Sequence, residues 1–358
     1  MRLIPTDEQK DLAESVRSFL AGTSPMARVR EIAESPDSYD PDVWRRLTGE
    51  LDLAALAVPE SHGGAGAGHA EVAVVMEELG AALTPAPYLA SAVLAVNVLL
   101  EAEAKDLLPD VAAGRTVATF AVPVPGGPAL TADGDLLNGA APRVLNGADA
   151  DLILVAANAD GGLGLFAVEP GAAGLTRTPL TTLDLTRPQA TLTFDGTPAR
   201  RVGPADATEA VSRALDLAAV ALAAEQLGGL RHCLNTIVEY AKLRVQFGRY
   251  VGSFQGVKHK LADMHCTLEQ AESIVRYAAW AADESPDELP LAAAFAQSYL
   301  GRAYFQVAKD HLLLHGGIGF TWEHDAHLYY KRAKSDELLL GPPRLHRARL
   351  AERLGLLG

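Results

Sequence analysis

Cysteine is nearly absent from this 358-residue chain: there are two, Cys233 and Cys266. So few thiols exclude a disulfide-stapled fold. Both fall in helical patterns, and the expectation is a pair of buried thiols in a reducing compartment. Aromatic residues are scarce at 6%, although 49% of the chain is hydrophobic, with Ala and Leu dominating. That is a helix-rich composition. Positive charge is in deficit, since 31 Lys and Arg against 45 Asp and Glu leave a formal net charge of −14. This excludes charge-driven binding of nucleic acid, which needs cations to neutralise phosphates. The acidic residues are spread along the chain and read as solvated surface. No apolar run reaches the ~20 residues of a membrane-spanning helix. No secretory leader is visible, because the chain opens on an acidic, polar helix start. The expected location is the cytoplasm. The length suits two or three packed subdomains.

What is present divides into three regions. Residues 1–115 read as a helical domain. Thr6 followed by Gln9 predicts a capping box ahead of Leu12, Val16 and Leu20. A further helix is expected near Val43 to Asp52. Ser61 to Gly68 reads SHGGAGAG. Such a cluster suggests a phosphate cradle, but the preceding strand and the Lys that complete one are missing, so it reads as a loop between helices. The helix after it, Ala70 to Leu83, ends before Pro85. Residues 116–204 change character. VATFAV, LILVAA, LGLFAV and ATLTF are short apolar or alternating runs separated by Gly, Asp and Pro, the pattern of an antiparallel β domain. Ala132 to Asp135 reads as a hairpin turn. Residues 205–358 return to helix. Four long segments are predicted at Thr208–Leu243, Phe254–Ala282, Pro290–His315 and Ala326 to about Leu339, followed by a basic, amphipathic helix from Arg344 to Leu354. Glu284 to Glu288 is a polar, Pro-containing break.

The chain is organised around a helical hairpin from Ala223 to Met264 and a glycine-rich segment from His315 to Asp325. Leu227, Leu230, Leu234, Ile237, Val238 and Ala241 recur at three- and four-residue steps and share a helical face. Gly228 and Gly229 lie inside that helix, where each costs about 1 kcal/mol relative to Ala. They imply the close passage of another backbone. Gly248 is a candidate C′ residue closing the helix. His311 and His315 stand at i, i+4, with His324, Asp325 and His327 beyond the turn. Packing and turn hydrogen bonds explain these better than a metal, and no metal site is expected.

RVQFGRYVGSFQGVKHKLADM and LLLHGGIGFTWEHD, about 50 residues apart, resemble the C-terminal helical domain of the acyl-CoA dehydrogenase family. VPESHGGAG and EELG resemble its N-terminal landmarks, and LFAVEP with TLDLTRPQATLTFDGTPA resembles its middle β-barrel. The fold implied is mainly α with a central β domain: an N-terminal helical domain (1–115), a middle antiparallel β-barrel (116–204) and a C-terminal four-helix bundle (205–358). The resemblance implies an FAD enzyme that desaturates an acyl-CoA thioester between the α and β carbons, in fatty-acid or steroid side-chain β-oxidation. A carboxylate base takes the α-proton, and burial would raise its pKa toward neutrality. Hydride leaves the β-carbon for the flavin.

The family places its base at one of two positions, which fall here on Leu340 and Ala218. Neither accepts a proton. Asp216, Glu225 and Glu337 are the substitutes to weigh, and each reads more simply as a solvated or capping carboxylate. Asp216 points about 160° away from Ala218 around a helix. Glu225 lies about 10 Å along the helix from Ala218. Glu337 is one turn before Leu340 and is the substitute that a rearranged loop would bring to the site. The flavin-holding loops of the β domain also depart. Val122 to Leu130 and the Val144–Leu145–Asn146 segment lack the expected hydroxyls and carboxylate. The residues that hold the ADP portion of a neighbouring subunit's FAD are kept: Arg244, Phe247, Gln255, Gly316, Gly317 and Gly319. One of the set is lost, since Leu313 stands where a Gln is usual. This pattern is most similar to the short subunits of actinobacterial heterotetrameric acyl-CoA dehydrogenases. The readings left open are a homo-oligomeric dehydrogenase, a base-less subunit completing the FAD site of a homologous catalytic partner, and a flavin-free scaffold. The first two imply acyl-CoA as substrate and an electron-transfer flavoprotein as acceptor.

Overall fold

The computed structural model describes residues 3–122 and 129–356. In chain order its helices are α1 (Asp7–Thr23), α2 (Met26–Glu34), α3 (Pro41–Gly49), α4 (His69–Ala82), α5 (Val96–Glu101), α6 (Leu108–Ala112), α7 (Thr208–Leu243), α8 (Gln255–Glu284), α9 (Leu289–Leu314), α10 (Ala326–Leu338) and α11 (Pro343–Arg353). A π-helical stretch, Tyr88–Ala95, leads into α5. The strands are β1 (Ala118–Ala121), β2 (Leu130–Asp133), β3 (Leu136–Leu145), β4 (Leu152–Ala159), β5 (Gly162–Val168), β6 (Leu175–Pro179), β7 (Gln189–Pro198), β8 (Arg200–Val202), β9 (Val245–Gln246) and β10 (Arg249–Tyr250). Two compact units result. One gathers the chain up to Met26, His69–Thr84 and Ala219 onward; the other holds Ala27–Gly68 and Pro85–Ala218.

The second unit is built on an eight-stranded sheet of order β6-β7-β3-β2-β4-β5-β8, with β1 also on β4. It is antiparallel except along β4, where β1 and β2 both run parallel, Ala118 opposite Leu152 and Thr131 opposite Asn158. The turn expected at Ala132–Asp135 is present: Asp133 pairs with Leu136, and Gly134 takes the left-handed φ of +56° that the reversal requires. Leu137, Val144, Ile153, Val155, Phe166, Leu192 and Phe194 fill one apolar core. Ser61 to Gly68 leads from a short 3-10 turn at Glu60–His62 into α4, so it joins helices as expected.

The helical unit begins with the predicted capping box. The Thr6 hydroxyl accepts from the Gln9 amide at 3.2 Å, and Gln9 Oε1 accepts from the Thr6 N–H at 3.1 Å. α7 has the expected bounds, and α8 to α10 lie within two residues of theirs. Cys233 is buried in α7, but Cys266 is exposed on α8, contrary to expectation. Periodicity assigns residues to a helical face; it does not say which face is covered.

The expected close approach is real at Gly228. A Cβ there would sit 1.8 Å from the carbonyl oxygen of Glu77 on α4. Gly80 of α4 returns the contact, since its Cβ would lie 2.2 Å from the Glu225 carbonyl. Gly229 instead admits a side chain, the Tyr304 hydroxyl of α9, at 2.3 Å from its would-be Cβ. Gly228→Ala should therefore destabilise the protein by about 1–3 kcal/mol or more, through overpacking. Gly256→Ala, whose Cβ meets nothing within 4 Å, should be neutral or slightly stabilising. Thermal unfolding followed by circular dichroism distinguishes the two.

Candidate functional site

α7 ends at Leu243, and the chain turns back through a small β-hairpin. Gln246 pairs with Arg249 and Val245 with Tyr250, and the Val251 amide donates to the Arg244 carbonyl at 2.8 Å. The two turn residues, Phe247 and Gly248, have φ of +54° and +77°. Both are left-handed, as a tight hairpin turn demands. Gly248 is thus a turn residue and not the C′ residue of α7, because Arg244, Val245 and Gln246 intervene between the helix end and the reversal. Glycine adopts this backbone freely, but Phe247 does so at a cost of about 1–2 kcal/mol. Its ring is also 93% exposed. It touches the Phe254 ring edge-on at 6.3 Å, while the Arg249 guanidinium covers Phe254 at 3.9 Å. Arg244 and Gln255 flank this hairpin, both exposed.

The glycine-rich turn lies at the same end of the unit. The Tyr240 hydroxyl, one turn before the end of α7, donates to the His315 carbonyl at 3.2 Å. Gly316–Phe320 then forms a 3-10 turn. Gly316 has φ of +66°, and added Cβ atoms at Gly316 and Gly317 would meet nothing within 4 Å. Gly319 is buried, with its would-be Cβ 2.4 Å from the Leu312 carbonyl. Leu313 is 49% exposed beside this turn. The structure thus brings the six candidate residues to one end of the bundle. An exposed guanidinium, a primary amide, an aromatic ring and exposed glycine backbone at Gly316 and Gly317 suit the ADP portion of a dinucleotide. The ADP half of an FAD fits these residues chemically.

The residues for the other half fit less well. Val144, Leu145 and Asn146 are buried, Val144 within the sheet core, and the Thr119 hydroxyl donates to the Leu145 carbonyl. Their side chains offer a flavin ring no hydroxyl or carboxylate. Most of the Val122–Leu130 loop lies outside the described residues.

Of the base positions, Ala218 is fully buried in α7. Leu340 stands in the loop after α10 with φ of +58°, followed by Gly341 at +111°. Asp216 and Glu225 are 2% and 4% exposed, so neither is the solvated carboxylate expected. Glu225 is buried because it forms an ion pair with Arg332 of α10. Glu337 binds Lys334 at 2.6 Å, one turn back along its own helix. Sequence reasoning passed over His346. Its ring is 1% exposed and lies beneath this loop, with Nε2 3.3 Å from where a Gly341 Cβ would stand. Burial pushes its pKa below the ordinary 6.5.

The imidazoles at i, i+4 also find a role in packing. The His315 Nδ1–H donates to the His311 carbonyl at 2.8 Å, and His311 Nε2 meets the Thr236 hydroxyl at 3.0 Å. Burial, chiefly, pushes His311 down to about 2, so it stays neutral at physiological pH. No group of three metal-ligating side chains occurs among the described residues. Because Phe247 is strained and exposed, Phe247→Asn should hold or raise Tm, as Asn tolerates the left-handed backbone. A drop in Tm above about 2 °C would show that the ring supports the isolated chain.

Residues 6–115 match the N-terminal domain of acyl-CoA dehydrogenases, and residues 208–355 match their C-terminal domain. The acyl-CoA dehydrogenase IpdE2 of Mycobacterium tuberculosis is 37% identical over 350 residues, covering 96% of each chain. The crystal structure of the ChsE4–ChsE5 complex from the same organism matches with a TM-score of 0.92 at 30% identity over 100% of both chains. The structure of a Tcur3481–Tcur3483 steroid acyl-CoA dehydrogenase variant matches with a TM-score of 0.88 at 32% identity over 98% of both. Sequence and fold together therefore make this chain a member of the acyl-CoA dehydrogenase family.

Proposed function

We propose that this chain is the base-less subunit of a hetero-oligomeric acyl-CoA dehydrogenase. It completes the FAD site of a homologous catalytic partner, and the assembly carries out FAD-linked α,β-desaturation of an acyl-CoA thioester. The observation that carries this reading is a division between two sets of residues. The positions for a base hold Leu340 and Ala218, whereas Arg244, Phe247 and Gln255 remain exposed at a bundle end. A chain that served only its own flavin would need the reverse, a proton acceptor and polar groups around the ring. The likeness to two complexes with paired subunit names, ChsE4–ChsE5 and Tcur3481–Tcur3483, supports a heteromeric partner. The steroid description of the second supports a steroid side-chain thioester as the substrate class.

FAD supplies the hydride acceptor when bound. In this chain the Arg244 guanidinium would bind the pyrophosphate, Phe247 would flank the adenine, and Gln255 with the Gly316, Gly317 and Gly319 backbone would fix its orientation. A guanidinium suits this task because it stays charged and forks its donors toward phosphate oxygens. The proton acceptor comes from the partner, and the electrons leave to an electron-transfer flavoprotein.

The chain purified alone should be colourless, and co-expression with its catalytic homologue should give a yellow complex. Near-stoichiometric FAD in the lone chain that bleaches with acyl-CoA would overturn the proposal and direct attention to Glu337. Within the complex, Arg244→Ala should weaken flavin retention about 10- to 100-fold, the worth of a hydrogen bond from a charged group. Unchanged retention would remove Arg244 from the site.

A further inference from the structure

His324 was grouped with the imidazoles around His311 on sequence grounds, and the function proposed above leaves it without a task. Its ring centroid lies 4.3 Å from that of His315, with the planes inclined by 48°. His315 immediately precedes Gly316–Phe320, and His324 follows it after Thr321, Trp322 and Glu323. The ring pair thus closes the base of the loop that carries the three glycines. Each ring is fixed from behind. The Tyr240 ring packs on His315 at 4.6 Å, and His311 lies edge-on to it at 4.6 Å. His324 Nδ1 accepts from the Ala326 N–H at 3.1 Å, which ties it to the first residue of α10.

We infer that His315 and His324 form a latch that holds the Gly316–Phe320 turn in shape for the nucleotide half of the flavin, and that the latch is closed only while its rings are neutral. His324 is then a positioning residue, acting through the turn. The inference rests on the proposed nucleotide role of the turn for its purpose, but not for its existence. Neutrality matters for two reasons of geometry. Nδ1 of His324 accepts the Ala326 N–H, and a proton there would abolish that bond. Two imidazolium rings at 4.3 Å would also repel in a half-buried setting. Tyr240 from α7 and His311 from α9 face His315, His311 also lies 6.4 Å from His324, and Asp325, next in sequence to His324, acts on His232. His232, stacked on Tyr329 at 4.2 Å, stands behind them. His311 and His232 are pushed by burial to about 2 and about 4, so both rings are largely neutral above pH 5. His315 lies below the ordinary 6.5, by burial first and by proximity to His324. A His held below its unfolded value favours the neutral fold. The latch is therefore fully closed above pH 6.5 and weakens as pH falls below it.

Amide hydrogen exchange of the turn in the full chain, corrected for intrinsic rates, tests this without flavin. In the wild type, exchange across residues 316–320 should be slow at pH 7.5 and should accelerate as pH falls below 6.5. His324→Ala should speed it about three- to tenfold at pH 7.5, the worth of one aromatic pair. His324→Phe keeps a ring that cannot be charged and leaves His315 as the titrating ring of the pair; it should restore part of the slow exchange at pH 7.5 and weaken the acid acceleration. If His324→Ala leaves the turn's exchange unchanged while the chain stays folded, the latch does not exist. If His324→Ala fails to fold, the His324→Phe comparison decides alone, and an acid acceleration as large as the wild type's in it would overturn the inference. The co-expressed complex then separates the two ideas. A loosened turn with flavin retention unchanged would leave the latch standing and remove the turn's nucleotide role, whereas a loosened turn with flavin lost several-fold supports both.

Discussion

The helical unit depends on two helices that cross with no side chain between them. Gly80 of α4 faces the Glu225 carbonyl of α7, and Gly228 of α7 faces the Glu77 carbonyl of α4. From this crossing two carboxylates reach outward. Glu77 binds Arg231 at 2.7 Å and pairs with Arg276 on α8. Glu225 pairs with Arg332 on α10. The next glycine, Gly229, receives Tyr304 from α9. Residues 225–231 therefore set the place of every other long helix in the bundle. Buried ion pairs add little net stability, because desolvation offsets attraction, but losing one partner is costly. Here they act as register marks on a close-packed crossing.

The candidate site inherits its geometry from that crossing at both ends. Toward its C-terminus, α7 runs from Arg231 to Leu243, about 18 Å of helix, and delivers the Arg244–Gln255 hairpin. Through Arg332, α10 is held in register and delivers the Leu340 loop. Both places carry non-glycine residues in left-handed backbone, Phe247 at +54° and Leu340 at +58°. Such residues persist only where the surroundings over-determine them. At Leu340 the surroundings include the His346 ring below Gly341, and Glu337 and Pro343 on either side of the loop both pack close to Gly301 of α9. The loop that would present a carboxylate is thus still shaped, although the side chain it presents is a leucine.

Much of this was legible in the sequence, and the gaps have physical causes. Helix ends were readable because caps and breakers act within a few residues: Thr6 with Gln9, and the Glu284–Glu288 break. Gly228 was readable because a glycine inside a long apolar helix has few explanations besides close approach. Partners were not readable. Nothing local distinguishes Glu225, buried on Arg332, from a solvated carboxylate, and nothing local shows that Cys266 faces water. The role of Gly248 was misread because a helix C-terminus and a tight hairpin demand the same positive φ. The six residues proposed for the nucleotide are singled out only by resemblance to a family; as isolated residues they look like an ordinary helix end. His324 had a signal, its spacing across the glycine turn from His315, but spacing alone does not tell a ring contact from coincidence.

The scarcity of aromatics gives the exposed ones weight. The chain has 9 Phe and 3 Trp, and Phe247, Phe320 and Trp322 are 93%, 65% and 71% exposed. Leu243, at 76%, and Ile318, at 39%, lie in the same two segments. The Tyr240–His315 hydrogen bond holds those segments at one end of the bundle. A single exposed apolar residue needs no explanation, but a cluster including a strained one does. Beyond its edge-on contact with Phe254, the Phe247 ring stands in water on a left-handed backbone that a glycine or asparagine adopts more easily. The free energy given up there is recovered only if something covers the ring. An adenine ring and the surface of a second subunit are both suited to do so, and in the assembly proposed they arrive together. In that proposal one physical fact, an uncovered aromatic at a strained turn, links the proposed nucleotide residues to the proposed partner.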